Sequence, residues 1–259
     1  MNKHNPQVFI DNCNYLKLIK LPLEYQTMID RATAQNMGYL DFISTLVQQE
    51  ADARRLRSIN YRIRESRLPR PYKLLDDFNF SFQPTLKKKL VMDLATMDWM
   101  RTKRSILFEG RSGTGKSHLA RSLALIACQK GYKAYYTTCA NMLHDLNTGV
   151  YEKTLYKRMR KYINPDLLLI DEMGHDRLEL EVTREAHLLF KVIDERYNKN
   201  KSLMMTTNVD EQGWAEYLGD PISTQAILDR IYHHSVKVMI KGPSYREYEG
   251  KLLQEQYDQ

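Results

Sequence analysis

From residue 105 onward, short apolar blocks alternate with longer stretches whose apolar positions recur every three or four residues. The short blocks read as strands at 105–109 (SILFE), 133–138 (KAYYTT), 166–171 (DLLLID), 202–207 (SLMMTT) and 236–241 (VKVMIK). Helical spacing fits 115–130, 140–147, 152–163, 181–199 and 223–234, and a further helical stretch at 84–100 precedes the first strand. Such alternation, with strands apolar along their whole length, predicts an α/β domain: a five-stranded parallel sheet covered by helices on both faces.

The first seventy residues carry helical spacing alone. Leu21, Tyr25, Met28 and Ala32 follow Pro22, a residue suited to a first helical turn, and Met37-Gly38 ends the run. A second helix starts near Tyr39 with Leu40, Ile43 and Val47 on one stripe, and Leu56, Ile59 and Ile63 extend it toward Arg67. The prolines of Leu68-Pro69-Arg70-Pro71 stop it. The expected organisation is an all-α domain at 1–70 and an α/β domain at 71–259.

Charge adds a second layer. The chain of 259 residues carries a formal charge of +7, and within 54–70 seven arginines face one acid, Glu65. Arg54, Arg55, Arg57, Arg62, Arg64 and Arg67 form a candidate surface for a phosphate backbone; a solvated helix face is the alternative. A second basic set, Lys153, Lys157, Arg158, Arg160 and Lys161, falls on the helix expected at 152–163, and neither set is expected to pair its charge internally. Tyr151, Tyr156 and Tyr162 interleave it, where packing is favoured over base stacking. Three cysteines with no C-x-x-C pair fit reduced thiols. No window reaches the ~18 apolar residues needed to span a bilayer, and the first residues lack the apolar core of a secretory signal. A cytoplasmic protein with no membrane role is expected.

The chemistry centres on GRSGTGKSHLA at 110–120. By average residue frequencies, G-x-x-x-x-G-K-[ST] arises by chance in about one chain in a hundred of this length. Its place between an expected strand and an expected helix strengthens the reading as a nucleoside-triphosphate loop. Backbone amides from Gly110 through Arg111, Ser112, Gly113, Thr114 and Gly115 would wrap phosphates, aided by the helix N-terminus. Lys116 would reach the β and γ phosphates, and Ser117 would ligate Mg2+. Asp171 and Glu172 end an apolar strand at the edge where parallel sheets bind ligands. Adjacent strand residues point to opposite faces, so the two acids have separate tasks: Asp171 holds magnesium or its water shell, and Glu172 polarises the attacking water. Asn208, after the 202–207 strand, is a turn former or holds the water or γ-phosphate. Arg230, in the apolar turn Ile227-Leu228-Asp229-Arg230-Ile231, either pairs with an acid or is donated across a subunit interface to a neighbour's γ-phosphate.

This order of motifs resembles the AAA+ ATPases. GKSHLA is similar to the G-K-[ST]-H-L-A of the branch holding DnaC-type helicase loaders, DnaA-type initiators and IstB-type transposition helpers, and it brings His118 into the nucleotide-binding set. Leu75-Asp76-Asp77-Phe78-Asn79-Phe80 and Gly242-Pro243-Ser244-Tyr245-Arg246 resemble IstB specifically. Asp171-Glu172-Met173-Gly174-His175 departs from that family's pattern at His175. Only 18 residues follow position 241, too few for a complete helical lid, and a reduced lid is also an IstB feature. The role of Arg246 stays open.

The resemblance implies an ATPase whose cofactors are ATP and Mg2+. It would assemble as a homo-oligomer with ATP sites at its interfaces on duplex DNA, largely without sequence preference. There it would deform the DNA and recruit an IstA-type transposase, hydrolysis then driving disassembly. A DnaC-type loader of a replicative helicase is the alternative. A small-molecule P-loop kinase fits less well, because Asp171-Glu172, Asn208 and Arg230 have no place in it.

Overall fold

The computed structural model describes residues 5–174, 182–218 and 221–257; His175 lies outside them. The chain divides into two compact units, Met1–Tyr61 and Arg62–Gln259. Residues 62–70, which the sequence groups with the first domain, thus fall in the second unit.

The first unit is helical. Asn5 caps α1 (Pro6–Tyr15), an element the sequence pattern does not announce, by accepting the Gln7 N–H at 3.0 Å. At the start of α2 (Leu21–Ala34), the Glu50 carboxylate accepts backbone N–H bonds from Ile19 and Leu21, each at 2.7 Å, and from Lys20. A side chain from α3 (Tyr39–Glu65) thereby satisfies amides that a helix start leaves open. The apolar stripe of α3 does not pack as its spacing suggests: Leu40 and Val47 are 77% and 63% exposed.

The second unit is a parallel sheet of five strands: β1 (Ser105–Gly110), β2 (Ala134–Thr138), β3 (Leu167–Met173), β4 (Ser202–Thr207) and β5 (Ser235–Ile240). Their order is β2-β3-β4-β1-β5, and every pairing is parallel. Alternate side chains feed two cores. Leu107, Leu168, Ile170, Leu203 and Met205 pack with α7 (Cys139–Tyr151), α8 (Leu155–Ile163), α9 (Val182–Asn198), α10 (Glu211–Leu218) and α11 (Pro221–His233). Ile106, Phe108, Leu167, Leu169 and Met204 pack on the other face with α4 (Lys88–Ala95), α5 (Asp98–Arg101) and α6 (Lys116–Gln129). Both layers close over a strand run apolar on every residue, as the pattern requires.

The expected helices shift for local reasons. The stretch 84–100 breaks into α4 and α5 because Met97 turns left-handed (φ 68°). Lys153 does the same (φ 57°), so α8 begins at Leu155. After β5, α12 (Tyr245–Tyr257) occupies the short tail. No helix of the described residues is long and apolar enough to cross a membrane.

Candidate active site

The loop between β1 and α6 runs past the carboxyl edge of the sheet. Gly113 (φ 78°) and Gly115 (φ 95°) adopt backbone angles that side chains disfavour. Space demands glycine as well: a Cβ would stand 2.1 Å from Ser244 Oγ at Gly113 and 2.6 Å from Phe78 Cε2 at Gly115. The loop is therefore pressed between two segments of its own unit. On one side, His118 donates from Nε2 to the Leu74 carbonyl at 2.7 Å and meets the Phe78 ring edge-on. His118 thus fastens the 74–80 segment to the loop. On the other, Tyr245 donates its backbone N–H to the Gly113 carbonyl at 2.9 Å. Gln83 spans the two, its Nε2 donating to the Pro243 carbonyl at 2.9 Å.

Between these walls lies a cleft of about 610 Å³. Ser112 to His118, Glu172, Thr206, Thr207, Asn208 and Arg246 line it. Lys116 is nearly buried and donates from Nζ to the Gly110 and Arg111 carbonyls, both at 2.7 Å. Burial holds its pKa below the ordinary lysine value; Asp171 pulls it up, and Arg246 pushes it further down.

Asp171 is completely buried behind the loop. Its Oδ1 accepts from Ser117 Oγ at 2.7 Å and Thr206 Oγ1 at 2.6 Å. Its Oδ2 accepts from Arg121 Nε at 3.1 Å and Nη2 at 2.8 Å, and from Tyr136 OH at 3.2 Å. Burial, reinforced by the Asp171 charge, pushes the Tyr136 hydroxyl up to about 12. The next residue faces the other way. Register slips between Ile170 and Met173, so two residues of β3 oppose Thr206 alone. Glu172 sits in this bulge at φ 61°, exposed to the cleft, its N–H bonded to Thr206 Oγ1 at 3.0 Å. One threonine hydroxyl thus orients both acids, donating to the first and accepting from the second. The oxygen pair of Ser117 and Asp171 is the hard donor set that suits Mg2+.

Lys116, Ser117, Glu172 and Asn208 therefore meet on one cleft, with Asp171 immediately behind it. Arg230 lies outside that lining. Its Nε pairs with Asp194 Oδ1 at 2.7 Å, Nη1 donates to the Ala226 carbonyl at 3.0 Å, and the guanidinium covers the Phe190 ring.

Two residues of the lining, Arg121 and Thr206, are given no role by the motif reading. Arg121 had a usable signal, because four residues after Ser117 it shares that face of α6. Thr206 is brought in by the β3–β4 register, which no spacing encodes, while Arg246, whose role the sequence leaves open, reaches the lining by the turn after β5.

The basic helix 155–163 departs from expectation. Arg158 pairs with Asp145 at 2.6 Å and Glu152 at 2.7 Å, and Lys161 pairs with Asp145 at 2.7 Å. Asp145 on α7 lies beside α8 only because the two helices pack, so its role is invisible in local sequence. Lys153, Lys157 and Arg160 are exposed, as are Tyr151 and Tyr156, while Tyr162 is buried. In the other set, Arg55 pairs with Asp52 at 2.9 Å and Arg64 with Glu65 at 3.4 Å, both at the surface. Arg54, Arg57 and Arg67 are exposed, and half-buried Arg62 donates from Nε to the Cys128 carbonyl at 3.0 Å.

The family described as IstB-like ATP binding protein matches residues 12–252. The chain is 36% identical over 243 residues to the ATP-binding protein of insertion sequence IS5376 of Geobacillus stearothermophilus, covering 94% of this chain and 95% of that one. It is 31% identical over 231 residues to the ATP-binding protein of insertion sequence IS21 of Pseudomonas aeruginosa, covering 89% and 85%. Among solved structures, AMPPCP-bound DnaA from Aquifex aeolicus superposes with a TM-score of 0.54 at 18% identity, over 74% of this chain and 57% of that one. The DnaC helicase loader gives 0.51 at 22% identity, over 67% and 100%. The chain thus shares its fold with DnaA and the DnaC helicase loader.

Proposed function

The chain belongs to the family of IstB-like ATP-binding proteins, and from that premise we propose that it is a magnesium-dependent ATPase which assembles on duplex DNA as a helper of transposition. The observation that carries the reading is the convergence of Lys116, Ser117, Glu172 and Asn208 on one cleft backed by buried Asp171.

In this reading the loop amides and the N-terminus of α6 hold the phosphates, and Lys116 exchanges its two carbonyl acceptors for β and γ oxygens. Ser117 and Asp171 hold the metal, which when bound neutralises charge on the β and γ phosphates. Glu172 takes a proton from the attacking water as its oxygen bonds to the γ-phosphorus and the bond to the β–γ bridging oxygen breaks. ADP and phosphate are the products. The left-handed backbone at Glu172 is strain of the kind retained at functional sites, since it turns the carboxylate out of the sheet toward the cleft. Asn208 steadies the water or the γ-phosphate. Arg246, on the other wall, adds a cation from the same chain. Arg230 completes a neighbour's site, releasing Asp194 when subunits meet, so hydrolysis depends on assembly.

DNA binding rests on the exposed cations: Arg54, Arg55, Arg57, Arg64 and Arg67 in one set, Lys153, Lys157 and Arg160 in the other. Arg62, Arg158 and Lys161 contribute field more than contact, because each is half-buried and held by protein partners. Binding of this kind tracks phosphates and reads little sequence. The transposase would be of the IstA type. Phosphate release from Mg2+ and ATP, measured with and without plain duplex DNA, tests the proposal. DNA should accelerate release; an unchanged rate together with phosphorylation of a small acceptor would instead indicate a kinase.

A further inference from the structure

We propose that Arg121 is a built-in counter-cation for Asp171 which makes metal binding depend on the triphosphate. The inference rests on the proposed assignment of Ser117 and Asp171 as the metal-holding pair.

A completely buried carboxylate requires a charge partner, and Arg121 supplies it with two nitrogens on Oδ2. The arginine is itself fixed: Nη2 also donates to Tyr136 OH at 2.8 Å, and the guanidinium lies 5.0 Å above that ring. The two carboxylate oxygens are thereby divided. Oδ2 belongs to Arg121 and Tyr136, while Oδ1 is shared by the hydroxyls of Ser117 and Thr206. A divalent cation approaching Ser117 and Oδ1 meets a carboxylate whose charge is already matched, with the Lys116 ammonium nearby. Among the described residues, the cleft lining adds three acids, Asp77, Glu172 and Glu249, and of these Glu172 is next to Asp171 in the chain. Magnesium binds where several anionic oxygens gather, so the phosphates must bring the charge that Asp171 alone no longer offers.

The position of the arginine suits the task. It stands one helical turn after Ser117, so the helix that presents the metal-holding hydroxyl also presents the opposing charge. Metal-binding strength and nucleotide occupancy are thus linked within a single turn of α6.

Manganese, which reports its own binding by electron paramagnetic resonance, is the probe, titrated into the full chain without nucleotide. The parent chain should leave the ion free. Arg121→Met should retain one ion per chain, at least about tenfold more tightly, because the carboxylate charge is unmasked. Arg121→Lys, which keeps the charge, should behave as the parent does. In EDTA, Arg121→Met should melt lower than the parent, and manganese or magnesium alone should restore it. Metal uptake by the parent without nucleotide overturns the proposal. So does destabilisation of Arg121→Met that metal does not repair, which is the mark of a purely structural ion pair. If Arg121→Met fails to fold, Arg121→Gln, whose amide still donates to Oδ2, takes its place: metal uptake supports the proposal, and its absence overturns it. No nucleotide enters the titration, so failure here leaves the ATPase reading standing, and that reading fails separately if Lys116→Ala binds ATP normally.

Discussion

Tyr245 and Gly113 are joined by a backbone hydrogen bond of 2.9 Å, which ties the segment after the last strand to the middle of the phosphate loop. The bond explains why Gly113 tolerates no side chain and why Arg246, one residue on, lines the cleft. In the proposed mechanism Arg246 meets phosphate oxygens from within its own subunit. A charge-assisted hydrogen bond is worth about 1.5–3 kcal/mol, so Arg246→Ala should weaken ATP binding roughly tenfold or more. Titration with a fluorescent ATP analogue reads this directly, and an unchanged affinity would remove Arg246 from the site.

Thr206 gives a second test. Its hydroxyl donates to Asp171 and accepts from the Glu172 N–H, so Thr206→Val takes one donor from a buried carboxylate and the acceptor from a part-buried N–H. A cost of about 1–3 kcal/mol in denaturant unfolding is expected, together with a loss of kcat. Thr206→Ser should recover most of both.

Glu50 predicts an acid response of the first unit. Burial works to raise its pKa, but the N–H groups of Ile19, Leu21 and Lys20, with the Arg54 charge, hold it below the ordinary value of 4.5. A carboxylate with a lowered folded pKa contributes stability above its unfolded value and loses it as pH falls through the folded one. Protection of the Leu21, Leu23 and Glu24 amides against hydrogen exchange should therefore fade below pH 4.5. Glu50→Gln should be less protected at neutral pH and nearly insensitive to acid.

The basic residues divide into two groups with different outcomes. Lys157→Ala and Arg160→Ala should weaken duplex binding and reduce the salt slope of log K by about 0.9 for each phosphate no longer neutralised. Arg158→Ala should instead lower thermal stability, because it unpairs Asp145 and Glu152. Anisotropy titrations at several salt concentrations, paired with melting curves, separate the two.

Much of this was legible in the chain. The apolar runs around Leu107, Leu168 and Met204 announce buried parallel strands, and the spacing from Gly110 to Ser117 announces the loop. Strand parity suggests that the acids at 171–172 face opposite ways, but it does not announce the bulge and left-handed backbone that turn Glu172 to the cleft. What stayed hidden depends on distant segments meeting in space. Nothing local tells Asp145 that it will face Arg158, or Leu74 that its carbonyl will meet His118. The apolar stripe of Leu40, Ile43 and Val47 misleads for a related reason: periodicity reports a face and not what covers it. Arg230 shows the same limit, since its spacing leaves open the ion pair that it makes with Asp194.

The most direct test of the nucleotide site as a switch for assembly on DNA is labelled duplex binding by Glu172→Gln, followed by fluorescence anisotropy through time with ATP and magnesium. The variant should form ATP-dependent complexes that persist, while those of the parent chain decay as ATP is consumed. Binding by Glu172→Gln that is indifferent to ATP, or hydrolysis at the parent rate, would contradict the account.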